Sequence, residues 1–134
     1  MDSQNLQPQP PVFKQLVTGL FHVKKRFSVH LEHGIPMWLL VCSISGKGRF
    51  GHSKGDMKVG PGDLVLIRPN TPQDYGVEKR LQRWSLLWEQ FIPQADWHPL
   101  LDWPKEAPGL MRLTLSDPSL RRKIRTELKK VHQL

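Results

Sequence analysis

Residues 37–76 read MWLLVCSISGKGRFGHSKGDMKVGPGDLVLIRPNTPQDYG, and this stretch decides the fold. Short apolar runs are separated by turn signals at roughly six- to ten-residue intervals, the rhythm of an all-β sandwich or barrel. Met37–Ser45 reads as a strand closed by Gly46-Lys47-Gly48, whose glycines supply the positive φ of a tight turn. Arg49–His52 runs back, and Ser53-Lys54-Gly55-Asp56 turns the chain into Met57–Val59. Gly60-Pro61-Gly62-Asp63 then makes a compact turn in which proline presets one φ, glycine takes the unusual one, and aspartate accepts backbone hydrogen bonds. Leu64–Arg68 is the next strand, Pro69-Asn70-Thr71-Pro72 breaks it, and Gln73–Gly76 resumes extended structure. So many short antiparallel strands cannot leave both edges bare, so the sheet is expected to roll or close.

Beyond this region, Arg83–Phe91 reads as a long last strand. Alternation puts Trp84, Leu86, Trp88 and Gln90 on one face and Ser85, Leu87, Glu89 and Phe91 on the other. If the tryptophan face points inward, the indoles make flat walls suited to a sugar ring or another small, partly apolar ligand. The same pattern also fits tryptophans that only fill a core. After Pro93, Asp96–Trp103 is expected to make one or two helical turns with Leu100, Leu101 and Trp103 facing the barrel. Residues 105–109 read as a loop and Leu110–Leu115 as an edge strand. Ser116 or Asp117 then caps a helix with Pro118 in its first turn. Leu120, Ile124, Leu128 and Val131 share one face of that helix, with arginines and lysines on the other. No stop signal ends it, so a longer parent protein cut at this point is the expectation. Upstream, Gln-Pro-Gln-Pro-Pro within residues 1–11 excludes helix and makes an extended arm. Val12–Phe21 and Phe27–Leu31 read as short strands.

Composition narrows the class. The 134 residues suffice for one core, 38% are apolar and 24% charged, and twelve prolines with ten glycines imply many turns. No apolar run approaches a membrane span and the first residues carry no signal core, so a cytoplasmic protein without membrane partners is expected. The single cysteine, Cys42, lies in the apolar run WLLVCSI, where a buried thiol acts as a small hydrophobe. The net charge is +8. Half of it falls in residues 117–134, where Arg121, Arg122, Lys123, Arg125, Lys129 and Lys130 face only Asp117 and Glu127. The other basic residues are scattered along the chain, and no helix-turn-helix, zinc-finger or RNP pattern accompanies them.

Trp38–Pro104 resembles the ligand-binding and dimerisation domain of the AraC family of transcription regulators. The likeness rests on the Trp38-Leu39-Leu40 run followed by Ser45-Gly46-Lys47-Gly48, on Gly60-Pro61-Gly62-Asp63-Leu64-Val65-Leu66, and on Pro69-Asn70-Thr71-Pro72-Gln73-Asp74-Tyr75-Gly76. Trp84, Trp88 and Phe91, then Trp97 with Leu101-Asp102-Trp103-Pro104, follow at the family's spacing. The resemblance implies a mainly β, cupin-like barrel (a jelly roll, or double-stranded β-helix) with a C-terminal helical segment. It divides the chain into an N-terminal arm at 1–20, a ligand-binding barrel at 21–92 and the helical segment at 93–134. A DNA-reading helix-turn-helix domain would lie outside this chain, and DNA would be contacted only through it. The implied role is that of a non-enzymatic sensor that pairs as a homodimer and whose small effector, a sugar or sugar-like molecule, shifts the arm or the helical surface. The implied ligand contacts are Trp88, Tyr75, Trp84, Leu86 and Phe21, with no cofactor. Tyr75 and Trp88 match the tyrosine and tryptophan of arabinose-responsive members, whereas Phe21, Leu31 and Leu86 stand where those carry threonine, arginine and histidine. Leucine cannot make an arginine's bidentate bonds to sugar hydroxyls, so a larger or more apolar effector than arabinose is expected.

Cupin barrels also serve as metal-dependent dioxygenases and isomerases, which makes an enzyme the alternative. Such a site needs paired histidines, a carboxylate and a further histidine after the Pro-x-x-Pro turn. Here that turn is followed by Gln73, the strand after Gly48 offers only His52, and His30 and His33 fall on opposite faces of an extended strand. Nucleophilic catalysis finds no Gly-x-Ser-x-Gly and no partner for Cys42.

Overall fold

The computed structural model describes residues 15–80 and 83–132. The proline-rich segment 1–11 expected as an arm, together with Val12 and Phe13, lies outside the described residues. Ten strands follow in chain order: β1 (Gln15–Lys24), β2 (Ser28–Leu31), β3 (Trp38–Gly46), β4 (Gly48–His52), β5 (Gly55–Val59), β6 (Asp63–Ile67), β7 (Gln73–Val77), β8 (Arg83–Ile92), β9 (Lys105–Ala107) and β10 (Leu110–Thr114). A 3-10 helix, Ala95–Leu101, separates β8 from β9, and α1 (Pro118–His132) ends the described chain. The strands form two antiparallel sheets, one ordered β1-β8-β3-β6-β10-β9 and the other β2-β7-β4-β5.

The inner faces of the two sheets meet in a cluster that includes Leu39, Val41, Phe50, Val65, Ile67, Tyr75, Val77, Trp84 and Leu86. Alternation explains the membership: Leu39 and Val41 of β3, Val65 and Ile67 of β6 and Leu86 of β8 stand at two-residue intervals and pair across the ladders. The six-stranded sheet is covered on its outer face as well. There Cys42, Leu64 and Leu87 pack against Ile124 and Leu128 of α1, and Trp38, Leu66, Phe91 and Met111 pack against Leu101 of the 3-10 helix. The outer face of the four-stranded sheet carries charge instead: the Arg49 guanidinium joins Asp56 at 3.1 Å and Asp74 at 2.9 Å.

The turn at Gly60-Pro61-Gly62-Asp63 closes as its composition requires. Asp63 N–H donates to the Gly60 carbonyl at 3.0 Å, and Gly60 N–H donates to Asp63 Oδ2 at 2.8 Å. Gly62 has φ +96°, and a Cβ there would crowd the Leu115 carbonyl. The other carboxylate oxygen of Asp63 accepts from Thr114 Oγ1 at 2.7 Å, tying the turn to β10. At the helix, Ser119 N–H donates to Asp117 Oδ1 at 2.9 Å, which makes Asp117 the cap.

Several local expectations change. Residues 15–20, placed with the arm, are rungs of the β1–β8 ladder, which runs from Gln15↔Ile92 to Lys24↔Arg83. The loop expected at 105–109 contains β9, a strand too short to show a period, so β10 lies one place inside the edge. Leu100 is 68% exposed while Leu101 is buried, because neighbouring residues on a helix cannot both face the barrel. Leu120, expected on the packed stripe of α1, is exposed, whereas Ile124 and Leu128 are half-buried; the Val131 side chain lies outside the described residues.

Candidate ligand site in the barrel

The site is built on β8. Its direct partners put Val23 opposite Trp84, Phe21 opposite Leu86 and Gly19 opposite Trp88 on β1, and Val41 opposite Trp88 on β3. Directly opposite residues share a face, so Trp84, Leu86, Trp88 and Phe21 all point between the sheets. From the facing sheet come Gln73, Tyr75 and Val77 of β7, with Val29 opposite Tyr75 and Leu31 opposite Gln73 on β2. An unbroken path of ring contacts crosses the interior. Trp88 meets Phe21 edge-on at 5.4 Å between centroids, Phe21 meets Phe27 at 6.1 Å, Phe27 meets Tyr75 at 6.2 Å, and Tyr75 stacks on Phe50 at 5.1 Å. Trp84 closes it with edge contacts to Phe50 at 5.8 Å and Tyr75 at 6.4 Å. Phe21, Tyr75, Trp84, Leu86 and Trp88, read from the sequence as ligand contacts, thus stand on one internal surface.

The two tryptophans of β8 differ in what they have left to offer. Trp84 is wholly buried, its indole lies over Gly48, and its Nε1–H donates to Ser43 Oγ at 3.0 Å. Its hydrogen bonding is complete, so together with Leu86 it forms the packed floor. Trp88 lies over Gly19, where any Cβ would strike the ring, and its buried Nε1–H has no partner. Gln73 shares this condition: the residue is buried and its Nε2 amide is unpartnered. Buried polar groups are almost always bonded, so these two orphaned donors, one from each sheet, mark places where a ligand acceptor or a water belongs. Gln73 drew attention in the sequence only because it is not histidine; its place two residues before Tyr75, on the same face, was the available signal. Phe27 and Phe50 were missed because one lies in a turn and the other in a five-residue strand.

The titratable groups that face the space between the sheets leave it neutral. Burial pushes the Tyr75 hydroxyl up to about 12, so it stays protonated. Arg112, inward by its register with Val65, is engaged by Glu106 at 2.7 Å and the Lys58 carbonyl at 3.1 Å. Val17 and Phe21 on β1 and Leu31 on β2 face the inter-sheet space, yet are 41%, 40% and 38% exposed. Inward apolar side chains that still meet solvent mark the open side of the barrel, between the edge strands β1 and β2.

The histidines are dispersed. His22 Nδ1 lies 2.8 Å from Ser85 Oγ, His52 Nδ1 accepts from Lys54 N–H, His30 lies 3.7 Å from Asp74, and His98 packs edge-on against Trp38. Among the described residues no three His, Cys, Asp or Glu side chains are grouped to hold a metal ion. Cys42 is buried beneath α1, which pushes its thiol up to about 11 and leaves it unreactive.

Residues 19–129 match the family model of the AraC-like ligand binding domain. Over 93 residues the chain is 29% identical to the arabinose operon regulatory protein of Escherichia coli K12, covering 66% of this chain and 32% of that protein. The Salmonella typhimurium LT2 protein of the same name is 28% identical over 93 residues, covering 66% and 33%. The chain therefore spans about a third of the length of these curated relatives. In fold it is similar to ToxT from Vibrio cholerae O395, with TM-score 0.60 at 8% identity over 90% of this chain and 47% of that one. It is also similar to YhaK from Escherichia coli, with TM-score 0.53 at 10% identity over 81% and 48%. Among the described residues no helix is long and apolar enough to cross a membrane.

Proposed function

Because the chain belongs to the family of AraC-like ligand binding domains, we propose that it is the effector-sensing module of a bacterial transcription regulator and takes an uncharged small molecule between its sheets. The carrying observation is the pair of buried, unpartnered donors, Trp88 Nε1 on one sheet and Gln73 Nε2 on the other, in an otherwise apolar and aromatic interior. A ring with hydroxyl or ether oxygens meets both demands. Its apolar face stacks on Trp88 and Phe21, and its oxygens accept from the indole and the amide. A carbohydrate or carbohydrate-like effector fits best, with Leu31 and Leu86 favouring a less polar molecule than arabinose. One structure of the fold neighbour ToxT holds an unsaturated fatty acid, so an amphiphile is the competing ligand class.

The reading assigns no catalytic step. Ligand entry past Val17, Phe21 and Leu31 rearranges β1, and a change there is the signal passed to a DNA-binding domain elsewhere in the parent protein, which acts in the cytoplasm and pairs as a homodimer. The ligand must favour one arrangement over the other to have any effect. A thermal-shift screen of pentoses, hexoses, their oligomers and medium-chain acids tests it. A ligand at about one hundred times its Kd stabilises by about 2.7 kcal/mol and raises the melting temperature by several degrees. The shift must vanish in Trp88→Ala. A ligand that stabilises both proteins equally binds elsewhere and defeats the assignment.

A further inference from the structure

Eight of the thirteen described lysines and arginines outside α1 are collected by the fold at one end of the barrel. Lys24, at the end of β1, pairs directly with Arg83, at the start of β8. Lys47, in the β3–β4 turn, donates its N–H to the Arg83 carbonyl at 3.2 Å and accepts from Glu78 N–H at 2.9 Å. Lys25 and Arg26, in the β1–β2 turn, line one cleft of about 320 Å³ together with Lys79. Lys79 and Arg80 line an adjoining cleft of about 260 Å³, and Arg49 and Asp56 are shared by both. All seven of these lysines and arginines outside the shared Arg49 are exposed. The carboxylates nearby are already engaged: Asp56 by Arg49 at 3.1 Å, and Glu78 by Lys58 at 3.8 Å and Arg80 N–H at 3.0 Å.

We infer that this basic pole binds the phosphate backbone of duplex nucleic acid, without reading its sequence. Three features select that partner. The cations sit on long stems at two strand ends and in the turns beside them, and so present a spread of positive charge to a regular anionic lattice. Protein interfaces have an apolar or aromatic centre and peripheral membrane proteins an apolar anchor, whereas the described residues of the three turns, 25–27, 47 and 78–80, include no exposed large hydrophobic side chain. Among the described residues of these turns the one aromatic side chain, Phe27, is half-buried with its ring against Phe21 and Tyr75, and no amide side chain accompanies the cations, so backbone contact is available and base recognition is not. The inference is independent of what the barrel binds. It adds to the domain a direct nucleic-acid contact that the sequence reading reserved for a separate domain.

Fluorescence anisotropy of a labelled mixed-sequence duplex, titrated with the 134-residue chain at 50, 100 and 200 mM salt, tests it. About four phosphate contacts give a log–log salt slope near −3.6 and a loss on the order of 100-fold from 50 to 200 mM. Arg26→Glu/Lys79→Glu is expected to weaken binding at least tenfold at 50 mM and to flatten the slope by about 2. Arg122→Glu/Lys123→Glu on α1 changes net charge equally and is expected to lose less than threefold. Lys25→Gln/Arg80→Gln removes charge without reversing it and must weaken binding in the same sense. Melting midpoints of the three variants within about 2 °C of the parent tie the losses to contact rather than folding. Equal losses in the pole and helix pairs, no binding by the parent at 50 mM, or binding to phosphatidylserine vesicles but not to duplex would each overturn the inference.

Discussion

Glu89→Gln should make the domain more stable at neutral pH and no more stable in acid. Glu89 stands in the middle of β8 on the outer face of the six-stranded sheet, only 6% exposed, with Thr18 of β1 and Leu40 of β3 directly opposite. Cys42 lies on the same face, close enough to feel Glu89 as well as Arg125 and Lys129 of α1. Burial pushes the Glu89 carboxyl from 4.5 up to about 7, so the folded protein holds this proton more tightly than the unfolded chain. Below pH 4.5 both states are protonated and nothing is lost. As pH rises toward 7 the unfolded chain ionises first, and stability falls by about 1.4 kcal/mol per pH unit until the folded carboxyl ionises too. The accumulated cost above pH 7 is on the order of 3 kcal/mol, roughly 10 °C in melting temperature for a domain of this size. Glutamine keeps the shape and removes the titration. The assay is urea denaturation of both proteins from pH 4.5 to 8, in which the stability difference should grow from near zero to its full value across that interval. A difference independent of pH would show that the carboxyl ionises at its ordinary pH and that the outer face is wetter than its packing implies.

Three further outcomes separate floor from ligand wall. Trp84→Ala should cost about 3–5 kcal/mol, since it empties the centre of the core and strips Ser43 of its partner, while Trp88→Ala costs less than half as much; equal losses in denaturant midpoint would mean that both rings are floor. Gln73→Leu should raise the stability of the free domain by about 1 kcal/mol while abolishing ligand-induced stabilisation, and a loss of stability instead would show that the amide is satisfied. Gly19→Ala should cost about 1–3 kcal/mol and move the emission of Trp88, scored against Trp88→Phe; an unchanged spectrum would place the indole away from β1.

Much of this arrangement was legible in the residues. Alternation in β8 put Trp84, Leu86 and Trp88 on one common face because a strand's period is strict, though not which way that face points, and Pro61-Gly62-Asp63 announced a turn whose bonds are those found. The difference between the two tryptophans was not legible, since it depends on Ser43 and Gly48, which neighbour Trp84 only after β3 and β4 have folded. Gln73 carries no local sign of burial. The basic pole escaped for a similar reason: Lys24, Lys47 and Arg83 are far apart in the chain and become neighbours through ladder register and the β3–β4 turn. The β9 strand had no period to reveal it and exists because β10 offers it an open edge.

The two sheets are dressed differently, one packed on both sides and the other washed by solvent on its outside. A residue in β3, β6 or β8 answers to neighbours whichever way it points, so there is little freedom to vary those strands one position at a time. The outer side of β2, β7, β4 and β5, held by exposed or half-exposed ion pairs, carries no such obligation. New surface properties can accumulate there at small thermodynamic cost, while the doubly clad sheet keeps the architecture in register.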